Sequence, residues 1–272
     1  MDVADLVRGH YGGVDLHAGI LAGLTAAGVD ADRLTVDDLS AVDQLHAGFS
    51  GATRHLLGHL DLRPDTRLLD VGCGIGGPAR LAAAEFGCRV TGVDLSPDFV
   101  ATARSLTTLV SLTDRVDFRV ASGEDLGVDD ASFDAAMMVH VGMNIPDKAA
   151  VFTDVRRALR DGGTFAVFEQ MRVGDGDLPY PLPWAEDDRS SFVASPAEYA
   201  RDLGSAGFSV IVTEDRTAET SGPPGPPGPP HGSPSLSPMA VFGPEFGRRI
   251  GNNIAATRAG LLAPVLILAE AI

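Results

Sequence analysis

Cysteine is scarce in this chain, with two residues in 272, Cys73 and Cys88. Neither sits in a spacing that suggests a disulfide framework, so a reducing, cytoplasmic setting is expected. Basic charge is short as well: 21 Lys and Arg stand against 37 Asp and Glu, a formal charge of −16. So acidic a surface repels phosphate backbones and anionic bilayers, which argues against nucleic acid and membrane partners and in favour of a small molecule. Long apolar runs are missing. The most apolar stretch, Leu261 to Ile272, is 12 residues long and contains Pro264, too short to span a bilayer. The opening Met1-Asp2-Val3-Ala4-Asp5 lacks the basic region and apolar core of a secretory signal.

What the chain does have is glycine in one decisive place. Residues Arg67 to Asp94 read RLLDVGCGIGGPARLAAAEFGCRVTGVD. The run Leu68-Leu69-Asp70-Val71 is short and aliphatic, as a buried strand requires. Gly72-Cys73-Gly74-Ile75-Gly76-Gly77 forms a glycine-dense turn, and a helix follows, with Gly87 as its C-cap. A second strand, Arg89 to Val93, ends in Asp94. Glycines let a backbone approach a ligand, the helix start offers unpaired N–H groups, and an acid placed like Asp94 accepts hydrogen bonds from ribose hydroxyls. An acid at the turn entrance, Asp70, suits a cationic amino-acid ligand better than a dinucleotide pyrophosphate.

The run Asp70-Val71-Gly72-Cys73-Gly74-Ile75-Gly76-Gly77, followed by Val93-Asp94-Leu95-Ser96, resembles the class I S-adenosylmethionine-dependent methyltransferases. Downstream, Ser132-Phe133-Asp134, Ile145-Pro146-Asp147-Lys148 and Leu159-Arg160-Asp161-Gly162-Gly163-Thr164 continue the resemblance in order, over roughly residues 50 to 215. It implies an α/β fold: a Rossmann-like, doubly wound, seven-stranded sheet with an antiparallel last strand and a helical N-terminal cap. The cap is expected over residues 1–49 and the S-adenosylmethionine-binding domain over 50–272. Cofactor contacts are expected at Asp70, Gly72, Cys73, Gly74 and Gly76, at Asp94 and Leu95, and at Val139 ending the fourth strand. Ser50, with Gly48 and Gly51 before a helix ending near Leu60, is expected to touch the methionine part. The adenine falls to Ser122, Gly123 or Glu124, Ser122 standing where the family commonly has an aspartate.

The remaining chain reads as strands at Val116–Val120, Asp134–Val139, Thr164–Glu169, Phe208–Thr213 and Ala263–Ala269, with helices between. Residues 170–194 read as a long loop or lid, and such loops are usually functional. Residues 221–238 carry a Gly-Pro-Pro period too brief for a triple helix, so a surface insertion is expected.

Candidate catalytic residues are His140, after the fourth strand, His46, between cap and core, and Glu169, ending the fifth. Either histidine titrates near neutral pH and can take a proton from an acceptor; Glu169 can anchor a substrate amine or pair with an arginine. Trp184, Tyr180, Phe192 and Met143 are candidates for an acceptor pocket. His55 and His59 share a helix face at metal-ligand spacing, but no third ligand is evident, and no metal is expected.

Met143-Asn144-Ile145-Pro146-Asp147-Lys148 and Gly243-Pro244-Glu245-Phe246 are similar to small-molecule N-methyltransferases of the sarcosine/dimethylglycine and phosphoethanolamine types. Those tend to carry an acid where this chain has His140, which opens O- or C-methylation, and no basic cluster suits a phosphorylated acceptor. The expected function is methyl transfer from S-adenosylmethionine to a small molecule. The alternative is a protein that binds the cofactor without methylating, such as a pathway cyclase or scaffold. Oligomeric state stays open, a homodimer included.

Overall fold

The computed structural model of the protein describes residues 16–26, 28–30, 33–220 and 244–272. Strand β1 (Arg67–Val71) is buried along four of its five residues, as a central parallel strand must be. It lies parallel between β2 (Arg89–Asp94) and β4 (Phe133–Val139). Outward from these run β3 (Val116–Val120), parallel to β2, and β5 (Leu159–Arg172), parallel to β4. Strand β7 (Leu262–Ala271) inserts antiparallel between β5 and β6 (Phe208–Asp215), giving the order β3-β2-β1-β4-β5-β7-β6. The seven-stranded sheet with its antiparallel last strand is therefore formed. Strand β5 is longer than the sequence suggests. A register shift opposite Phe133 and Ala135 absorbs Gly162 and Gly163, so Leu159 pairs with Phe133 and Thr164 with Ala135. At its other end, Gln170–Arg172 also belong to β5.

Side chains alternate between two cores. Leu69 and Val71 enter one with Phe152, Phe165 and Tyr199, whereas Leu68 enters the other with Leu57, Leu81 and Phe118. Helix α1 (Leu16–Ala26) buries Ile20 and Leu24 against Leu39, Val42, Ile75 and Leu106, beside the main cores. Helix α2 (Val36–Asp43) starts on a capping box in which Thr35 and Asp38 bind each other's backbone N–H. Helix α3 spans Phe49–Leu57, so it begins before Ser50 and ends short of Leu60. Ser50 thus lies in its first turn, not ahead of it, and its hydroxyl accepts from Arg54 Nη1 at 3.2 Å.

Helix α4 (Gly77–Phe86) follows the glycine turn with Pro78 in its first turn. Helices α5 (Pro97–Leu109), α6 (Lys148–Ala158) and α7 (Pro196–Ser205) connect later strands, each capped by its preceding Ser or Asp. A short α8 (Thr217–Thr220) and α9 (Pro244–Arg258) complete the helices of the described residues. The Gly-Pro-Pro segment, 221–238, lies outside those residues.

Helix α2 is joined to α4 by an ion pair. Asp43 Oδ2 accepts from Arg80 Nη2 at 2.8 Å, both side chains fully buried. Arg80 Nη1 also donates to Ala103 O at 3.3 Å and Thr107 Oγ1 at 3.2 Å. Removing one member of such a pair leaves an uncompensated buried charge. Asp43→Ala is expected to cost about 3–5 kcal/mol in urea unfolding, and adding Arg80→Met should restore most of it.

Candidate active site

The switch point between β1 and β4, from which connections run outward in opposite directions, places a crevice at the strands' C-terminal ends. Two turns meet there. In the first, the N–H groups of Gly72 and Cys73 donate to Val93 O at 2.8 and 2.9 Å, tying the turn to β2. Gly74 N–H donates to Asp94 Oδ2 at 2.8 Å, and Ser96 N–H to Asp94 Oδ1 at 2.9 Å. Each carboxylate oxygen keeps a further lone pair, so Asp94 can still accept ribose hydroxyls. Burial raises its pKa, against the pull of those two N–H bonds.

The glycines of this turn have different duties. A Cβ on Gly77 would run into the backbone carbonyl of Asp43, and one on Gly76 into Phe118 and Arg80. A Cβ on Gly72 would strike Val141. Gly74, at φ +53°, has open space beside it, so it is here that a ligand can approach the backbone. Gly72 and Gly76, expected to line the cofactor, are required by protein packing. Cys73 is buried, and burial pushes its thiol up, out of reach of thiolate chemistry.

Beneath the turn, Asp70 is buried and its Oδ2 has no partner. Burial first, then the nearby Asp94, push its pKa up to about 8, with Arg80 opposing. An orphaned carboxyl, open space at Gly74 and the spare lone pairs of Asp94 fit the ammonium and ribose of S-adenosylmethionine. On the adenine side the fit is looser. Ser122 Oγ accepts from Glu124 N–H at 3.2 Å within its own turn, and Glu124 is exposed.

The second turn follows β4. His140 adopts φ +56°, strained for a residue with a Cβ, while its N–H donates to Phe168 O at 2.8 Å. Its Nε2 is buried without a partner. His46 arrives from the far side of the chain, its ring 5.7 Å from that of His140, and both rings flank Phe168 at 6.1 and 5.3 Å. The ring nitrogens of His46 are occupied: Nδ1 lies 3.2 Å from Ala47 O, Nε2 3.1 Å from Gln44 Oε1 and 2.9 Å from Thr53 Oγ1. Burial lowers the pKa of His46 to about 4, and burial together with His46 takes His140 well below its usual value. Both imidazoles are neutral at physiological pH.

Glu169 is brought to the same place. Its Oε1 accepts from Val141 N–H at 3.0 Å and Gly142 N–H at 2.9 Å, while its Oε2 is buried without a partner. Burial pushes it up to about 8, against those bonds and Lys148. Sequence reasoning missed Tyr199, whose buried hydroxyl lacks a partner and lies where a Cβ on Gly142 would stand. It missed Gln44 and Thr53 too; no motif marks any of the three. Met143 and Trp184 are both buried. They pack together with Leu182, Ala185 and Ala256, and Trp184 Nε1 donates to Ser191 Oγ at 3.0 Å. His55 and His59, for which the sequence shows no third partner, meet Glu214 of β6. A separate cleft of about 310 Å³ opens at the opposite edge of the sheet, between Arg67, Arg89, Arg115 and Asp117. None of the candidate site residues lines it.

The sheet order, the glycine turn and Asp94 define a nucleoside-binding domain of the methyltransferase kind. Comparison agrees: residues 69–167 match a family described as "Methyltransferase domain". The chain is 28% identical over 207 residues to a sarcosine/dimethylglycine N-methyltransferase of Halorhodospira halochloris, covering 76% of this chain and 68% of that protein. It spans less than half the length of several other curated methyltransferases that it matches. A geranyl diphosphate C-methyltransferase of Streptomyces coelicolor A3(2), solved with Mg2+, geranyl diphosphate and S-adenosyl-L-homocysteine, shares the fold at TM-score 0.65 and 23% identity, over 82% of this chain and 78% of that one. The [4+2]-cyclase SpnF shares it at TM-score 0.64 and 20% identity, over 94% and 93%. Residues 69–167 thus carry a methyltransferase domain, and over much of its length the chain is similar to S-adenosylmethionine-dependent methyltransferases. No helix among the described residues is long and apolar enough to cross a membrane.

With a pKa of about 8, Asp70 carries a proton at neutral pH, and an ammonium beside it favours the charged form. Binding of S-adenosylmethionine is therefore expected to release a proton and to tighten as pH rises toward 8. Calorimetry in buffers of differing ionisation heat reads this release. Asp70→Asn should abolish it, and equal release by that variant would acquit Asp70.

Proposed function

We propose that the protein methylates an uncharged small molecule at oxygen or carbon, with the acceptor seated against His140. The carrying observation is the free Nε2 of His140, held by a strained backbone one residue before Val141, which packs on Gly72 of the cofactor turn. The surroundings support an uncharged acceptor: His46 and His140 are neutral, and burial favours the protonated carboxyls of Asp70 and Glu169. The aromatic face that a methylammonium would need from Trp184 is packed away.

When bound, S-adenosylmethionine supplies an electrophilic methyl carbon. This chain's residues hold the partners in line and exclude water. Such positioning is worth about 7–11 kcal/mol of barrier in well-oriented systems. Asp94 anchors the ribose through its remaining lone pairs, and Asp70 faces the ammonium. His140 accepts the acceptor's proton at Nε2, without first having to lose one of its own. His46, saturated by Ala47, Gln44 and Thr53, positions that ring through Phe168. Glu169 is a positioning residue as well, fixing the turn at 141–142. The segment up to residue 49 acts as the cap, supported by the Asp43–Arg80 pair and by the reach of His46. A cytoplasmic location is supported by Cys73 and Cys88, both free and buried.

His140→Ala is expected to lower turnover by about 10²–10⁴-fold, with cofactor affinity kept. Wild-type turnover of that variant on an identified acceptor would end the proposal. Because His140 is neutral well below its usual pKa, turnover should stay flat as pH falls through 6.5. Asp94→Ala should weaken S-adenosylmethionine by about 10–100-fold, the equivalent of one charge-assisted hydrogen bond; unchanged affinity by calorimetry would clear Asp94.

A further inference from the structure

Outside the active site, three side chains converge on the surface. His55 and His59 lie one turn apart on α3, and Glu214 comes from β6, far along the chain. His55 Nε2 lies 3.4 Å from His59 Nε2 and 2.7 Å from Glu214 Oε2. His59 Nε2 lies 3.7 Å from Glu214 Oε1. One donor atom from each falls within 4.8 Å of the others. We infer that His55, His59 and Glu214 form a binding site for a divalent transition-metal ion of the Zn2+ class, which fastens α3 to β6.

The spacing is that of a coordination polyhedron. Four ligands at the usual zinc–nitrogen length put neighbouring donor atoms about 3.3–3.4 Å apart, and His55 Nε2 to His59 Nε2 at 3.4 Å meets that value, with His59 Nε2 to Glu214 Oε1 at 3.7 Å close to it. Two imidazole nitrogens facing each other at 3.4 Å cannot both carry protons, yet both can direct lone pairs at one cation. Two imidazoles and a carboxylate select Zn2+, Co2+ or Ni2+ over Mg2+ and Ca2+, which prefer all-oxygen sites. The side chains are 35%, 27% and 27% exposed, so solvent can deliver the ion and fill its remaining position with water.

Arg216 is the charged neighbour to reckon with, its Nη1 3.3 Å from Glu214 Oε2 and 3.7 Å from Glu219 Oε1. An ion on Glu214 Oε1 leaves Oε2 to Arg216 and replaces the His55–Glu214 hydrogen bond. The same α3 carries Thr53, whose hydroxyl meets His46 Nε2. The ion would thus clamp the helix that holds an active-site imidazole, at a site separate from the cofactor crevice.

The test uses the full chain stripped by chelator, titrated with ZnCl2 in a calorimeter and unfolded thermally with Zn2+ or Mg2+. One Zn2+ per chain and a midpoint raised by Zn2+ but not by Mg2+ are expected. His59→Gln and Glu214→Gln should each weaken Zn2+ by about tenfold or more and erase the shift. Circular dichroism of the metal-free variants guards against misfolding, and His55→Gln supplies a third, independent removal. Absence of stoichiometric Zn2+ binding, or variants that bind as tightly as the parent, would overturn the site.

Discussion

The structure hangs on the Asp43–Arg80 pair. A guanidinium and a carboxylate, both fully buried, meet where solvent cannot screen them, so each obliges the other to stay. Their bulk dictates what surrounds them. Gly77 admits the Asp43 carbonyl and Gly76 admits Arg80 with Phe118, so half of the glycine-dense turn serves this junction. The other half, ending in the Gly74–Asp94 bond, is thereby held at the mouth of the crevice. His46 follows Asp43 by three residues, so the same anchor also brings an imidazole beside His140.

Charge is distributed against expectation for so acidic a chain. The whole chain carries a formal charge of −16, yet burial favours the uncharged forms of Asp70, Glu169, His46 and His140. Burial disfavours whichever form of a group is charged, pushing carboxyls up and imidazoles down, and the crevice contains both kinds. Asp70 and Glu169 rise to about 8 and His46 falls to about 4. A site of this kind waits for a cation beside Asp70 and stays neutral around His140. That asymmetry matches a ligand cationic at its amino-acid end and an acceptor that brings no charge.

Local signals carried the fold. The β1–turn–α4–β2 unit, the Ser and Asp caps of α5, α6 and α7, and the alternation of buried residues act over a few positions, so the sequence displays them directly. The long-range partnerships were not legible. His46 and His140 were each singled out, yet nothing along the chain says that their rings meet across Phe168. Glu169 drew attention as an acid ending a strand, and only the antiparallel pairing of β5 with β7 and the turn at Val141 show that it faces backbone N–H groups. Glu214 stands 159 residues from His55, and the antiparallel insertion of β7 determines where β6 brings it.

The glycine turn shows that one motif answers to two constraints. A glycine is kept wherever a Cβ would collide, whether with a ligand or with the protein itself, and sequence cannot tell these apart. Here Gly72 yields to Val141, Gly76 to Phe118 and Arg80, and Gly77 to Asp43, while Gly74 alone of the four borders open space. Each collision ties the glycine turn to another element: Val141 to the His140 turn, Asp43 to α2. The glycines are therefore also the points where α2, the glycine turn and the His140 turn touch. A substitution at Gly72 or Gly77 would misplace the histidines before it obstructed the cofactor.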